Sequence, residues 1–128
     1  MTLNAASTHQ LRAVVVGCRV GRNHADAYVQ SDAAELVALC DLDKRQLDLI
    51  ADQYDVESRY TDFETMLEEQ QPDLISIATP QQTHAALTIL AATRYTPKGI
   101  LCEKGMAVSM GEARAMIEAC DRNGVKLI

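Results

Sequence analysis

The stretch of sequence that decides the fold is Ala13-Val14-Val15-Val16-Gly17-Cys18-Arg19-Val20-Gly21. Its four consecutive apolar residues are typical of a strand that is buried on both faces of a parallel sheet. The two glycines that follow are typical of a tight turn from a strand into a helix. Such a turn directs free backbone N–H groups and a helix dipole towards an anion. The stretch therefore predicts a βα unit that binds a phosphate-bearing ligand.

The same alternation continues along the rest of the chain. Apolar runs predict further strands at residues 36–40, 74–78, 99–102 and 125–128, and residues 59–61 form at most a short strand. Apolar residues at helical spacing predict helices at 21–30, 42–54, 62–70, 84–93 and 109–122. In the last helix, Ser109 with Glu112 three residues later forms a capping box. We therefore expect a tail at residues 1–11 and, at residues 12–128, a single α/β domain with a doubly wound parallel sheet of the Rossmann type.

Length and composition exclude several classes of protein. A chain of 128 residues with 48% hydrophobic and 23% charged residues is typical of one folded domain. Its net charge of -6 disfavours binding to nucleic acid, which needs clustered Lys and Arg. The sequence has neither a secretory signal pattern nor an apolar run near the ~20 residues of a membrane span. We expect a cytoplasmic protein without nucleic acid or membrane partners.

The four cysteines are far apart in the sequence. Cys18, Cys40, Cys102 and Cys120 show neither CxxC pairing nor histidines at zinc-site spacing. Three of them lie within or beside apolar runs, where cysteine usually behaves as a small buried apolar residue. We therefore expect reduced thiols and no metal site.

Polar residues at the ends of the predicted strands are the candidate site residues. In a doubly wound sheet, the ligand lies beyond the carboxyl ends of the strands, near the point where the strand order reverses. Four groups occupy such positions: Gly17-Cys18-Arg19-Val20-Gly21, Asp41, Thr79-Pro80 and Glu103-Lys104. We expect all four groups to meet in one crevice that binds a dinucleotide.

The glycine turn departs from the usual dinucleotide fingerprint. The fingerprint reads GxGxxG, whereas residues 17–21 read GxxxG, which is one residue shorter and lacks the central glycine. A side chain at Cys18 or Arg19 then occupies space near the pyrophosphate, and we expect an unfavourable φ there. Such strain costs about 1 to 3 kcal/mol and would weaken the cofactor site.

Asp41 is the candidate for binding the ribose. It follows the second strand, 20 residues after Gly21, where a carboxylate can accept hydrogen bonds from both hydroxyls of an adenosine ribose. This placement favours NAD, although Lys44 and Arg45 lie close enough in sequence to leave NADP open. The alternative interpretation makes Asp41 or Asp43 the cap of the next helix.

Glu103-Lys104 and two histidines complete the candidates. A charged pair after an apolar strand faces either solvent or the crevice, and together with the glycine turn and Asp41 the crevice is favoured. His84 opens a helix beyond Thr79-Pro80, where it could donate to a ligand oxygen, so it is a candidate cofactor residue. We nevertheless favour plain surface positions for both His84 and His24.

These motifs together resemble the N-terminal domain of the Gfo/Idh/MocA family, the relatives of glucose-fructose oxidoreductase and inositol dehydrogenase. The resemblance covers residues 13–128. It is carried by the glycine turn with Gly21-Arg22-Asn23-His24-Ala25, by Cys40-Asp41, by Ala78-Thr79-Pro80 with Thr83-His84-Ala85, and by Glu103-Lys104-Gly105-Met106-Ala107.

The resemblance implies an oxidoreductase in which this domain binds NAD or NADP. A following α/β domain would supply a sugar- or polyol-type substrate site and oligomer contacts. Lys104 matches the family's lysine near nicotinamide and substrate, which implies a catalytic role, and Asp41 matches the ribose-binding acid. Gly105 stands where the family has proline.

The family's second domain, with its Asp and His proton-handling residues, has no counterpart in this sequence. We therefore expect an incomplete enzyme that acts with a separate substrate-domain partner or forms a homo-oligomer. One alternative is a stand-alone or degenerate dinucleotide-binding module without turnover. Another is an S-adenosylmethionine methyltransferase, which also has a glycine loop and an acid after the second strand.

Overall fold

The computed structural model describes residues 10–128 and confirms the predicted alternation of strands and helices. The strands are β1 Leu11–Val16, β2 Ala34–Cys40, β3 Arg59–Tyr60, β4 Leu74–Ile77, β5 Gly99–Cys102 and β6 Lys126–Leu127. The helices are α1 Gly21–Gln30, α2 Lys44–Gln53, α3 Phe63–Gln70, α4 His84–Leu90 and α5 Met110–Arg122. The predicted tail lies outside the described residues except for its last two, and Leu11 belongs to β1.

The six strands form one parallel sheet in the order β3-β2-β1-β4-β5-β6. The chain runs outward from β1 to β3 and then returns to place β4 on the other side of β1. The order therefore reverses between β1 and β4, which is the arrangement of a doubly wound fold. The predicted fold class is confirmed, and the crevice for a ligand lies at the carboxyl ends of these two strands.

Helices cover both faces of the sheet, because successive side chains of a buried strand point to opposite faces. Val15 points into a core formed with α1 and α2. Val14 and Val16 point into the opposite core, formed with α3, α4 and α5. All three are at most 5% exposed. This two-sided burial accounts for the continuous apolar run in the sequence.

Side chains fix where the helices begin. Asp43 accepts hydrogen bonds from the N–H groups of Arg45 and Gln46, so α2 begins two residues later than predicted. Asp62 caps α3 in the same way. The predicted cap of α5 is confirmed, because Ser109 accepts a hydrogen bond from the Glu112 N–H.

The predicted helix over residues 84–93 is interrupted. A 3₁₀ turn, Gln81–Thr83, precedes α4, and α4 gives way after Leu90 to a π-helical segment, Ala91–Tyr95. Thr96 ends this segment with a left-handed φ of 42° and donates its N–H to the carbonyl of Ala91 at 3.0 Å. The apolar residues keep helical spacing through the change of helix type, so the sequence does not predict the π-helical segment.

The prediction of reduced and largely buried cysteines is confirmed. All four thiols are free, with Cys18, Cys40 and Cys120 buried and Cys102 half-buried. Burial, reinforced by the neighbouring Asp41 carboxylate, raises the pKa of Cys18 and of Cys40 to about 12. None of the helices in the described part of the chain is long and apolar enough to cross a membrane.

Candidate functional site

A cavity of about 290 Å³ lies at the carboxyl ends of β1, β2 and β4. Its volume is near the lower end of the range for small-molecule sites. Five predicted site residues line it, namely Gly17, Arg19, Asp41, Thr79 and Pro80. Leu42, Asp43 and Ala78 complete its wall. Three of the four predicted groups therefore meet in one cavity.

The turn after β1 passes directly over the loop after β4. Gly17 has a φ of +90°, and a Cβ there would lie 2.6 Å from the carbonyl carbon and oxygen of Ala78. Its N–H donates to the carbonyl of Cys40 at 2.8 Å. Only glycine fits this backbone conformation and this close approach together.

Cys18 has a different position from the one predicted. Its side chain is fully buried in the core beneath α1 and α2, and it does not line the cavity. Its N–H donates to Asp41 Oδ2 at 2.8 Å, and its carbonyl accepts from Gln46 Nε2 at 3.2 Å. Positive φ values occur at Gly17 and elsewhere, but at neither Cys18 nor Arg19. The expectation of an unfavourable φ at Cys18 or Arg19 is therefore wrong, because the glycine takes the unusual conformation.

The first turn of α1 leaves donors available for an anion. Val20 is the N-cap residue and is about half exposed, and no side chain caps the helix. The N–H groups of Arg19, Val20 and Gly21 take part in none of the hydrogen bonds of the described residues. The Arg19 guanidinium is 79% exposed and lies 3.7 Å from the Asp43 carboxylate. Free N–H groups and a cation fit the chemistry of a pyrophosphate.

Both carboxylate oxygens of Asp41 already accept one hydrogen bond from the backbone. Oδ2 accepts from the Cys18 N–H and Oδ1 from the Asp43 N–H, each at 2.8 Å. A carboxylate has about four acceptor positions, so two remain for a ligand. Of the two capping alternatives, Asp43 is the cap of α2, and Asp41 is free of that role.

Glu103 and Lys104 line a second cavity. This cavity measures about 690 Å³ and is formed with residues of α5 and β6. Lys104 is exposed and Glu103 is half-buried. The prediction that all four groups share one crevice is therefore too simple, since the fourth group lines a cavity that has no lining residue in common with the first.

His84 is buried, and its predicted surface position is wrong. It is 1% exposed. Its Nε2 lies 2.6 Å from the carbonyl oxygen of Thr79, and its Nδ1 lies 2.9 Å from the carbonyl oxygen of Gly105. The ring therefore joins the loops that follow β4 and β5 and is absent from the residues that line the cavity.

The surface position predicted for His24 is also wrong. Its side chain is 11% exposed, and its Nε2 lies 2.8 Å from Glu103 Oε2. Its Nδ1 lies 3.0 Å from Ser76 Oγ, which in turn lies 2.7 Å from the Tyr28 hydroxyl. The bond from His24 holds the pKa of Glu103 below its usual value. A serine inside the apolar run of β4 was the sequence signal for this buried network.

Comparison of the sequence with known families adds an assignment to this geometry. Residues 11–128 match the profile of an oxidoreductase family with an NAD-binding Rossmann fold. The chain belongs to the Gfo/Idh/MocA family. Residues 11–128 are the NAD-binding domain of a Gfo/Idh/MocA protein. This assignment excludes the methyltransferase alternative.

Individual members of the Gfo/Idh/MocA family show the same likeness. D-apiose dehydrogenase of Paraburkholderia graminis is 34% identical over the whole of this chain, which covers 34% of that enzyme. An oxidoreductase of Agrobacterium radiobacter, solved with NAD+, L-tartaric acid and magnesium, is 31% identical with a TM-score of 0.87. The match covers 93% of this chain and 34% of the Agrobacterium protein.

The WlbA dehydrogenase of Bordetella pertussis, solved with NADH and UDP-GlcNAcA, is 30% identical with a TM-score of 0.85. The match covers 92% of this chain and 36% of the Bordetella protein. The chain therefore spans about a third of the length of the relatives it matches. The predicted cofactor is confirmed, since the family is NAD-binding and both solved relatives hold NAD+ or NADH.

Proposed function

We propose that this chain is the cofactor-binding part of an NAD-dependent oxidoreductase that acts on a sugar- or polyol-type substrate. The names of its relatives support this substrate class, since D-apiose dehydrogenase and D-glucoside 3-dehydrogenase both act on sugar-type compounds. A second domain, on the same or on a separate polypeptide, would hold the substrate. Free buried thiols suit a reducing compartment, so we propose that the enzyme is cytoplasmic.

The cavity at the ends of β1, β2 and β4 carries this proposal. The N–H groups at the start of α1 and the Arg19 guanidinium would bind the pyrophosphate. Asp41 would accept the ribose hydroxyls with its two free acceptor positions. Thr79 and Pro80 form the opposite wall.

The charges around the ribose position favour NAD over NADP. A 2'-phosphate there would meet Asp41 and Asp43, which line the same cavity. Two unit charges 4 Å apart repel by roughly 1 to 4 kcal/mol, depending on how well water screens them. Arg19 offers little compensation at the ribose because its guanidinium is assigned to the pyrophosphate in this arrangement.

Glu103 and Lys104 would act at the nicotinamide end. NAD itself supplies the hydride acceptor. Lys104 is exposed and lines the second cavity, so its ammonium could donate a hydrogen bond to a substrate oxygen. The part played by this chain is therefore to bind and orient the cofactor and to present one cationic group beside it.

Titration calorimetry with NAD, NADP and ADP tests the proposal. We expect NAD to bind more tightly than NADP. Asp41→Asn should weaken NAD binding about tenfold or more, since hydrogen bonds to a charged group contribute about 1.5 to 3 kcal/mol. Glu57→Gln is the matched control, because Glu57 is an exposed carboxylate just before β3. Tighter binding of NADP, or equal effects of the two substitutions, would refute the role of Asp41.

A further inference from the structure

Lys104 lies between two residues that are held by histidines from opposite faces of the sheet. On one side, Glu103 Oε2 lies 2.8 Å from His24 Nε2. On the other, the carbonyl oxygen of Gly105 lies 2.9 Å from His84 Nδ1. His24 belongs to α1 and His84 begins α4, and these helices pack on the two different cores. The loop that carries Lys104 is therefore anchored at both neighbours of the lysine.

The anchor through His24 is part of a continuous hydrogen-bond network. The Tyr28 hydroxyl lies 2.7 Å from Ser76 Oγ, Ser76 Oγ lies 3.0 Å from His24 Nδ1, and His24 Nε2–H donates to Glu103 Oε2 at 2.8 Å. Burial raises the pKa of Tyr28, so its hydroxyl stays protonated within this network. Each of these four side chains has a hydrogen-bond partner, so the Glu103 carboxylate has a defined place.

The anchor through His84 connects two loops. Carbonyl oxygens only accept hydrogen bonds, so a doubly protonated ring bonds Thr79 and Gly105 at once, and a neutral ring bonds one of them. The ring is 1% exposed, and water does not compete for these contacts. A doubly protonated ring would therefore tie the loop after β5 to Thr79 in the wall of the cofactor cavity.

The conformation of Gly105 makes such an anchor necessary. Its φ is +74°, which proline, with φ fixed near about −65°, cannot adopt. Glycine also has more backbone conformational freedom than any other residue, so it restricts the loop least. Contacts from outside the loop therefore contribute to its order, among them His84 and Gln81, whose Nε2 donates to the carbonyl of Ala107 at 2.7 Å.

We propose that His24 and His84 are positioning residues that together hold Lys104 at the nicotinamide end of the site. Neither ring needs to touch the cofactor for this role. The inference rests on the proposed function for the place of Lys104 beside nicotinamide, but the anchoring itself can be measured without any ligand.

The first measurement is the mobility of the loop in the 128-residue chain. Backbone ¹⁵N relaxation would compare residues 104–106 in the wild type, in His24→Ala/His84→Ala and in the control Gln82→Ala, an exposed side chain near His84. We expect order parameters to fall from about 0.85 to below about 0.6 in the double variant. Amides of α4 and α5 should keep their values. Replacing each histidine by glutamine retains a donor and should restore much of the order.

The second measurement separates the two ends of the cofactor. NADH contains nicotinamide and ADP does not, and both contain the adenosine end. In the double variant, we take the ordered conformation of residues 104–106 to be populated about 10 to 20% of the time. The apparent Kd for NADH should then rise about five- to tenfold, because only this conformation binds nicotinamide well. The Kd for ADP should stay within about twofold, whereas general destabilisation would weaken both ligands alike.

Unchanged order parameters in the double variant would overturn the inference. Equal losses of NADH and ADP affinity would do so as well. A failure of the glutamine variants to restore order would show that ring packing, and not hydrogen bonding, orders the loop. If the wild type bound neither NADH nor ADP, the proposed function would fail, while the relaxation data would still decide whether the histidines hold the loop.

Discussion

Replacing Gly17 with alanine should destabilise the domain far more than the same replacement at Gly124. Both residues have a positive φ, +90° for Gly17 and +67° for Gly124. A Cβ at Gly17 would lie 2.6 Å from the carbonyl of Ala78 and 2.8 Å from the Thr79 nitrogen. A Cβ at Gly124 would meet no atom within 4 Å. The pair of substitutions thus separates the cost of the backbone conformation from the cost of the close approach.

The two costs can be estimated separately. A left-handed conformation costs a residue with a Cβ about 1 to 2 kcal/mol, which is the whole effect expected for Gly124→Ala. Forcing an extra carbon into a packed region costs about 1 to 3 kcal/mol more, so Gly17→Ala should lose about 2 to 5 kcal/mol. Domains of this size are stable by only about 5 to 15 kcal/mol, so the Gly17 variant should be close to its limit.

Urea unfolding followed by far-UV circular dichroism measures the difference. With a slope of about 1 to 3 kcal/mol per molar urea, the midpoint of the Gly17 variant should fall well below that of the Gly124 variant. Equal midpoints would show that the Ala78-Thr79 backbone moves aside at little cost. In that case, the turn after β1 is not locked against the loop after β4, and our account of the cavity wall is wrong.

Two further predictions concern the thiols and the apolar cavity. The pKa of Cys18 and Cys40 is raised from 9.0 to about 12, so their contribution to stability is complete below about pH 9 and is lost as the pH rises towards 12. Each thiol should cost about 1.4 kcal/mol of stability per pH unit above about pH 9. The urea midpoint of the wild type should therefore be lower at pH 10 than at pH 8, and the difference should be smaller in Cys18→Ala/Cys40→Ala. Equal differences in the two proteins would contradict this prediction. Self-association is also expected, because Ile117 and Ile128 are 48% and 75% exposed at the 690 Å³ cavity beside the edge strand β6. Light scattering should show species larger than a monomer, and Ile117→Glu should reduce their amount. A strictly monomeric wild type at high concentration would contradict the prediction of self-association.

The strands and most helices could be predicted because their signals are local. A continuous apolar run such as the one in β1 reports burial on both faces, and its position in the chain fixes the topology through the right-handed crossover rule. Asp41 could be predicted for the same reason, since the end of the second strand has a fixed place relative to the glycine turn. These features need no knowledge of distant contacts.

The two histidines could not be placed from the sequence because their partners are distant in the chain. His24 bonds Glu103, 79 residues away, and His84 bonds the carbonyl of Gly105, 21 residues away. A histidine in the first turn of a helix is most often exposed, and nothing local distinguishes one that turns inward. Buried polar groups become predictable only when all their partners are known.

The shortened glycine turn shows how a missing residue can be accommodated without strain. With one residue fewer, the Cys18 side chain enters the core beneath α1 and α2 and does not crowd the pyrophosphate. Its N–H then reaches the Asp41 carboxylate at 2.8 Å, so the turn that we propose for phosphate also orients the acid that we propose for ribose. Within residues 10–128, the N–H groups at the start of α1 have no hydrogen-bond partner. The predicted weakening of the site is a matter for binding measurements, whereas the two backbone bonds to Asp41 hold this carboxylate in place without a ligand, which favours binding by preorganisation.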